Sequence, residues 1–562
     1  MTGIVEAAHP GLLLVAAGGA LVLARGAART AIALGVPLVA LALVLAAPEG
    51  VLWRVHYLGL ELAPWRMDAL SRLFGVVFAL ALAGGALFAL TQRNRLELPA
   101  AFVYGGSAIG ATLAGDLVTL FVFWELMAIG STLVIWSAGT PAAWRASRRY
   151  LAVHLAGGAL FLAGVAGHVA TTGSAEFAAL APGGAAYFLI LAGILVNAGA
   201  PPLSAWLPDA YPEASWSGTV FLSAFTTKTA VYALLRGYAG EELLVYVGLY
   251  MVFYGIVYAL LENDMRRILA YSIVNQVGFM ITGVGLGTPM ALNGAAAHAF
   301  THILYKALLL MSAGAVLRET GRRKCTELGG LFRTMPLTTL CGSIGALAIS
   351  SFPLTSGFVS KSMISQAAAE SHLLGVWLAL AAASAGVFLH AGIKFPWFVF
   401  FQKDSGLRPP EPPRSMRFAM VLFAALCVGL GVVYAPLYAL LPFPVAYEPY
   451  TAHHVVGQLQ LLLYSGLAFF VMLPMLRRTV TITLDFDWIW RRCLPRLGQG
   501  AEGLAAVAYD RLAGSVRAGY GVLRRSVENS HAAGGLLERT WTTGGIALWV
   551  AAMLAAYLFA SY

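Results

Sequence analysis

Apolar runs long enough to cross a membrane follow one another through most of this chain, separated by short loops that hold most of its charge. Two of these runs read alike: GILVNAGAPPLSAWLPDAY from Gly193 to Tyr211, and GALAISSFPLTSGFVSKSM from Gly345 to Met363. Each breaks at a Pro-Leu, and each is followed by small and aromatic residues and a lone lysine. Backbone can break at membrane depth only where protein or water satisfies it, so paired broken helices point to an ion or substrate path between two related halves.

Composition sets the solvent. With 59% hydrophobic residues, 11% charged residues and a mean hydropathy of +0.77 over 562 residues, the chain is an integral membrane protein. Its net charge of +10 comes from basic residues in short loops, which sets topology and argues against a nucleic-acid partner. The four cysteines are scattered without a CxxC, so no metal cluster or disulfide framework is encoded. No cofactor signature is present, whether flavin, iron–sulfur or quinone.

Matching the runs to the ~20 residues a bilayer requires gives about sixteen spans. The expected fold class is an all-α polytopic membrane protein. Its spans lie near 9–24, 30–47, 70–91, 98–115, 117–138, 150–171, 185–210 (broken), 216–236, 243–262, 268–286, 290–317, 336–367 (broken), 374–402, 416–438, 456–476 and 542–560. With the N-terminus outside, Arg25, Arg93, Arg145, Arg266, the run from Arg318 to Arg333, Lys403 and Arg477 all fall on the cytoplasmic side. The chain then divides into an N-terminal three-helix segment (1–97), a first five-helix repeat (98–238) and a second, inverted one (239–402). Two further spans (403–478), an interfacial segment (479–540) and a last span (541–562) follow. Five spans per set force the second set to run upside down relative to the first, with the broken helix fourth in each.

Ionisable residues within spans cost about 2.5–3.5 kcal/mol each at a helix centre, so those present carry the chemistry. They are Glu125, Lys228, His298, His302, Lys306, Lys361 and Lys394. A lysine or carboxylate on a wet, low-dielectric path can load and release protons near neutral pH. His298, His302 and Lys306 recur every four residues and share one helix face, which suits a relay better than a zinc site, because HxxxH has no nearby third ligand. His154, His168 and His390 stand alone and read as satisfied or interfacial residues.

FVFWELM around Glu125, PPLSAWLPDAYPEA, TTKTAVYALLR, NDMRRILAYSIVNQVGF, AHAFTHILYKALLLMSAG and SFPLTSGFVSK occur in this order. Together they resemble the antiporter-like membrane subunits of respiratory complex I, and most of all the D subunit of the multi-subunit Mrp cation/proton antiporters. The resemblance spans roughly residues 70–405. It implies that Glu125 pairs with a lysine on the first broken helix and that Lys228 is a connecting lysine. It places His298, His302 and Lys306 on a central polar axis, makes Lys361 the terminal lysine of the second half, and makes Lys394 a further basic residue of the Mrp branch. Arg266 matches a basic position opening its helix, and Asp209, within the first break motif, is auxiliary.

Asn197 holds the place of the first broken helix's lysine. Asparagine cannot carry a proton as charge, which leaves three readings open: Glu125 pairs with Lys228 instead, Asn197 helps to hold a cation such as Na⁺, or this half is inactive. The resemblance also implies partner membrane subunits, protons and possibly Na⁺ as the transported ions, and a place in a bacterial or archaeal cell membrane. The basic, Ala- and Leu-bearing stretch after about Arg496 suits a lateral helix at the membrane surface, preceded by a sheet-like TVTITLDFDWIW. Two other readings compete. One is a membrane subunit of a redox-driven proton pump; the other is a structural or energy-coupling partner of another complex, such as one for inorganic-carbon uptake.

Overall fold

The computed structural model describes residues 8–475, 485, 488, 493–532 and 541–561. Much of TVTITLDFDWIW, and the end of the expected interfacial segment near Thr540, lie outside the described residues. The chain forms two units, Met1–Asp487 and Trp488–Tyr562.

The first unit is mostly helical. It begins with α1 (Pro10–Leu23) and α2 (Gly26–Ala46), a β-hairpin of β1 (Gly50–Tyr57) and β2 (Leu60–Met67), then α3 (Ala69–Phe88), α4 (Glu97–Leu113), α5 (Leu117–Trp136) and α6 (Pro141–Thr172). The first broken helix is α7 (Gly184–Ala198) and α8 (Trp206–Ala210); α9 (Gly218–Ala224), α10 (Thr226–Gly237), α11 (Leu243–Leu261), α12 (Met265–Leu286) and α13 (Pro289–Thr320) follow. The second broken helix is α14 (Pro336–Ile349) and α15 (Ser356–Glu370). Next come α16 (Leu374–Val387), which continues into π-helical turns at Phe388–Lys394 and Trp397–Phe401, then α17 (Arg414–Val432), the short α18 (Ala435–Tyr438) and α19 (Ala452–Val471).

Twelve helices among the described residues are long and apolar enough to cross a membrane. Of the sixteen expected spans, the other four fall on α1 and α4, with 14 and 17 residues, and on the two broken helices, whose first segments have 15 and 14 residues. The all-α expectation needs one correction, the hairpin β1–β2. Its turn at Leu58-Gly59 has φ +50° and +76°, the double left-handed geometry that matches strand twist, and its strands alternate Trp, Val and Tyr with polar residues.

Capping residues fix the helix starts. Asp68, Asp116 and Asp264 accept backbone N–H bonds at the starts of α3, α5 and α12, and Thr140 and Thr288 cap α6 and α13 ahead of a proline. α6 and α13 are both 32 residues long, and both end on a left-handed glycine, Gly173 and Gly321. Asp116 forms a β-bridge to Glu176, and Asp264 forms one to Lys324. Each of these second-half features lies the same number of positions downstream of its first-half counterpart, so one framework is used twice. In that frame Tyr150, His154 and Gly158 of α6 correspond to His298, His302 and Lys306 of α13.

α13 is enclosed over most of its length; every residue from Ala291 to Val316 is buried. The second unit contains α20 (Leu494–His531), a 38-residue helix where the sequence predicts the lateral segment, and α21 (Thr543–Ser561), which is apolar along its length.

Candidate functional site: a buried polar row at two broken helices

Helix breaks position the site. α7 ends at Gly199, in a left-handed conformation (φ +78°) whose N–H closes onto Leu195 and Val196, and the Trp206 indole donates to the Val196 carbonyl at 2.9 Å. Asn197, one residue before the end of α7, is fully buried, and its side-chain oxygen and nitrogen lack a hydrogen-bond partner among the described residues. In the second half Ser351 and Leu354 take positive φ (57° and 67°) between α14 and α15. Lys361 then projects from α15, 1% exposed, with its ammonium 4.3 Å from the Phe279 ring centroid and no hydrogen-bond partner among the described residues. An ammonium over an aromatic face retains part of its lost hydration.

Between the breaks runs the α13 row. His298 Nε2 lies 3.0 Å from Gln276 Oε1, and its Nδ1 lies 3.2 Å from Ser360 Oγ on α15. The Tyr305 hydroxyl donates to the same Gln276 oxygen at 3.2 Å. Lys306 donates to Ser272 Oγ at 2.9 Å, and Lys228 donates to the Ser223 carbonyl at 2.7 Å and to Thr227 Oγ1 at 3.2 Å. Among the described residues His302 has no hydrogen-bond partner on either ring nitrogen, and it sits 6.3 Å, centroid to centroid, from His298. It feels the charges of Lys228 and Lys306, and His298 those of Lys361 and Lys228. Five residues expected from the sequence are thus brought together, none of them more than 1% exposed.

Three expected residues have separate surroundings. Lys394, in the π-helical turn, donates to the carbonyls of Ala259 (3.1 Å), Leu260 (2.5 Å) and Glu262 (2.6 Å), and so caps α11. Arg266 is buried and donates to the carbonyls of Pro212 and Ala214 at 2.8 and 2.9 Å and of Ser215 at 2.7 Å. Asp209 accepts two bonds from Arg149, at 2.7 and 2.9 Å. Arg266 and Asp209 therefore anchor the chain that leaves the first break.

Glu125 on α5 is half-buried, and among the described residues it has no ion pair. Its carboxylate rests against Gly158 of α6.

Two histidines that read as isolated in the sequence are buried in the first unit. His390 is fully buried; its Nδ1 donates to the Gly386 carbonyl at 2.8 Å, its Nε2 has no partner, and it feels the charges of Lys306, Lys361 and Lys394. His154 is 1% exposed, stacks on Tyr150 at 3.8 Å and meets the Trp206 ring edge-on at 4.6 Å, with Nε2 unpartnered. It is the first-half counterpart of His302. Only helix limits reveal this, although the Thr-Pro openings and Gly ends of α6 and α13 are visible in the sequence.

The arrangement is a row of buried bases and hydroxyls, groups that each accept or donate protons, with no group of His, Cys, Asp and Glu among the described residues able to hold a metal. Residues 114–388 match the family model described as NADH:quinone oxidoreductase/Mrp antiporter, TM. The chain is 31% identical over 355 residues to the D subunit of the Na⁺/H⁺ antiporter of Alkalihalophilus pseudofirmus, covering 58% of this chain and 71% of that protein. It is 32% identical over 402 residues to the A/B subunit of a probable K⁺/H⁺ antiporter of Rhizobium meliloti, covering 66% of this chain and 40% of that longer protein. Its fold is similar to a chain of the membrane-bound sulfane sulfur reductase, an archaeal respiratory membrane complex, with TM-score 0.72, 22% identity, and coverage of 98% of this chain and 100% of that one.

Proposed function

Because the chain belongs to the NADH:quinone oxidoreductase/Mrp antiporter family of membrane subunits, we propose that it carries protons across the membrane within a multi-subunit cation/proton antiporter or complex-I-like assembly. The observation that carries this reading is the fully buried row of Lys228, His298, His302, Lys306 and Lys361 between two broken helices. Charged groups at such depth are costly unless they work or pair, and among the described residues none of these lysines has a carboxylate partner.

A proton passes from Lys228 of the first half through His302 and His298 to Lys306 and Lys361 of the second, then by His390 to Lys394 at the end of α11. In the first half His154 takes the titrating role that Asn197 cannot fill, beside the carboxylate of Glu125. Asn197 supplies a donor and an acceptor to water or to a passing cation. The two halves, 98–238 and 239–402, are inverted relative to each other, the basic loops face the cytoplasm, and the N-terminus lies outside. Partner membrane subunits contribute the rest of the path, with Na⁺ as the exchanged cation.

The test is proton and Na⁺ flux in proteoliposomes holding the intact complex, comparing wild type with Lys361→Ala. Loss of Na⁺-driven proton movement in the variant supports the reading. If wild type moves no protons without a redox substrate, the antiport assignment falls and a redox-driven pump replaces it.

A further inference from the structure

Glu97 opens α4 and is fully buried, yet the proton row does not use it. Its carboxylate accepts bonds from Ser215 Oγ (2.5 Å), Ser217 Oγ, Gln92 Nε2 (3.2 Å) and Ser137 Oγ (3.5 Å). Three of these four partners, Gln92, Ser137 and Ser215, also line a polar pocket of about 410 Å³. Glu97 is therefore one layer of side chains away from a cavity. The charged groups on that pocket are Arg266, Arg323 and Glu213. Arg266 is committed to three carbonyls, and Arg323 to Glu213 at 3.0 Å and Asp264 at 2.7 Å. No described cation forms an ion pair with Glu97: hydroxyl and amide donors make its hydrogen bonds, and the buried Arg266 guanidinium adds a favourable charge at longer range.

The same serines lead toward the proton row. α9 starts directly after Ser217, and near its other end the Ser223 carbonyl accepts from Lys228 Nζ. Trp216, between the two serines, presses its carbonyl against Gly314 of α13, where an added Cβ would stand 2.3 Å from that oxygen, and Arg318 lies over its ring at 5.3 Å. This short segment touches the Glu97 carboxylate and the central helix at one end and the Lys228 ammonium at the other.

We propose that Glu97 is a proton-loading site fed from the pocket, and that the segment from Ser215 to Ser223 passes its protonation state to Lys228. An ionised carboxylate only accepts hydrogen bonds. Once it takes a proton from pocket water, one oxygen becomes a donor, and one of the hydroxyls now facing it must turn away or accept. Ser215 and Ser217 are the closest of these, so the start of α9 reorganises while water in the pocket loses the proton. The coupling to Lys228 rests on the proton-transport reading above; the loading itself does not.

Two measurements on the intact complex test the proposal. Infrared difference spectra on acidification should show a carboxylic-acid C=O band in wild type that is absent in Glu97→Gln and shifted in Ser217→Ala, a variant that keeps the carboxylate if the first one misfolds. Proton flux against pH should lose its acid limb in Glu97→Gln and recover it, displaced, in Glu97→Asp. A band unchanged by Glu97→Gln overturns the loading site, and a flux profile superimposable on wild type overturns the coupling. If wild type carries no flux but the band is present and disappears in Glu97→Gln, the transport reading fails and the loading site stands.

Discussion

The Glu125 carboxylate fills the space that a side chain at Gly158 would need: a Cβ built there would stand 1.9 Å from Oε1. Gly158 is thus a seat for the carboxylate, and it occupies the α6 position that corresponds to Lys306 on α13. Gly158→Ala should expel the carboxylate from α6 and lower proton flux as far as Glu125→Gln does, while leaving the amount of assembled complex near normal. Overpacking of this kind costs about 1–3 kcal/mol, which assembly should tolerate. Wild-type flux in Gly158→Ala would mean that Glu125 works from another position.

His154→Phe keeps a ring against Trp206 and Tyr150 but removes both ring nitrogens. Flux should fall while thermal stability changes little, and Asn197→Lys in the same background should restore part of it. Equal flux in His154→Phe and wild type would assign His154 to packing alone.

Asp209 is 4% exposed and holds Arg149 through two short bonds just beyond the first break. Asp209→Asn leaves a partly exposed guanidinium without its counter-charge, and a loss of about 1–3 kcal/mol follows. Thermal unfolding of the purified protein in detergent should show a clear drop in midpoint, with the double variant Asp209→Asn/Arg149→Met regaining part of it. An unchanged midpoint would show that the pair does not hold the break.

The loop after the second set of helices has its own acid sensitivity. Arg408, through side-chain hydrogen bonds, then the Gly406 N–H and the charge of Arg333 hold the Asp404 carboxyl well below its ordinary value of 3.8. A carboxyl depressed in the folded state contributes stability that is complete above its unfolded value and is lost as pH falls through the folded one. Tryptic cleavage after Arg333, whose guanidinium Asp404 holds at 3.1 Å, should therefore stay slow from neutral pH down to the lower limit of protease activity. Asp404→Asn should accelerate it at neutral pH, and equal rates would show that the carboxylate does not order this loop.

How much of this is legible in the sequence follows from what each feature contrasts with. Lys228, His298, His302, Lys306 and Lys361 stand out because an ionisable residue within an apolar run has few structural excuses, and the two Pro-Leu breaks stand out for the same reason. The hairpin at Gly50–Met67 is masked by the membrane runs on either side, next to which a short alternating stretch reads as loop, although its alternation and Leu-Gly turn are present. His390 and His154 look isolated because their neighbours come from distant segments: Lys306 and Lys361 for one, Trp206 for the other. Glu97 is inconspicuous at the first turn of a helix, where an acidic residue normally needs no explanation; only the fold brings Ser137, Ser215 and Ser217 to it.

The twin 32-residue helices give this last contrast a meaning. At one position of the shared frame the second half presents the ammonium of Lys306, and at the equivalent position the first half presents, through a glycine, the carboxylate of Glu125. The backbone is duplicated while the ionisable group at that position changes from acid to base. A proton carried between the halves would therefore meet two kinds of site, one neutral when loaded and the other neutral when empty, told apart by a single residue too small to have a side chain.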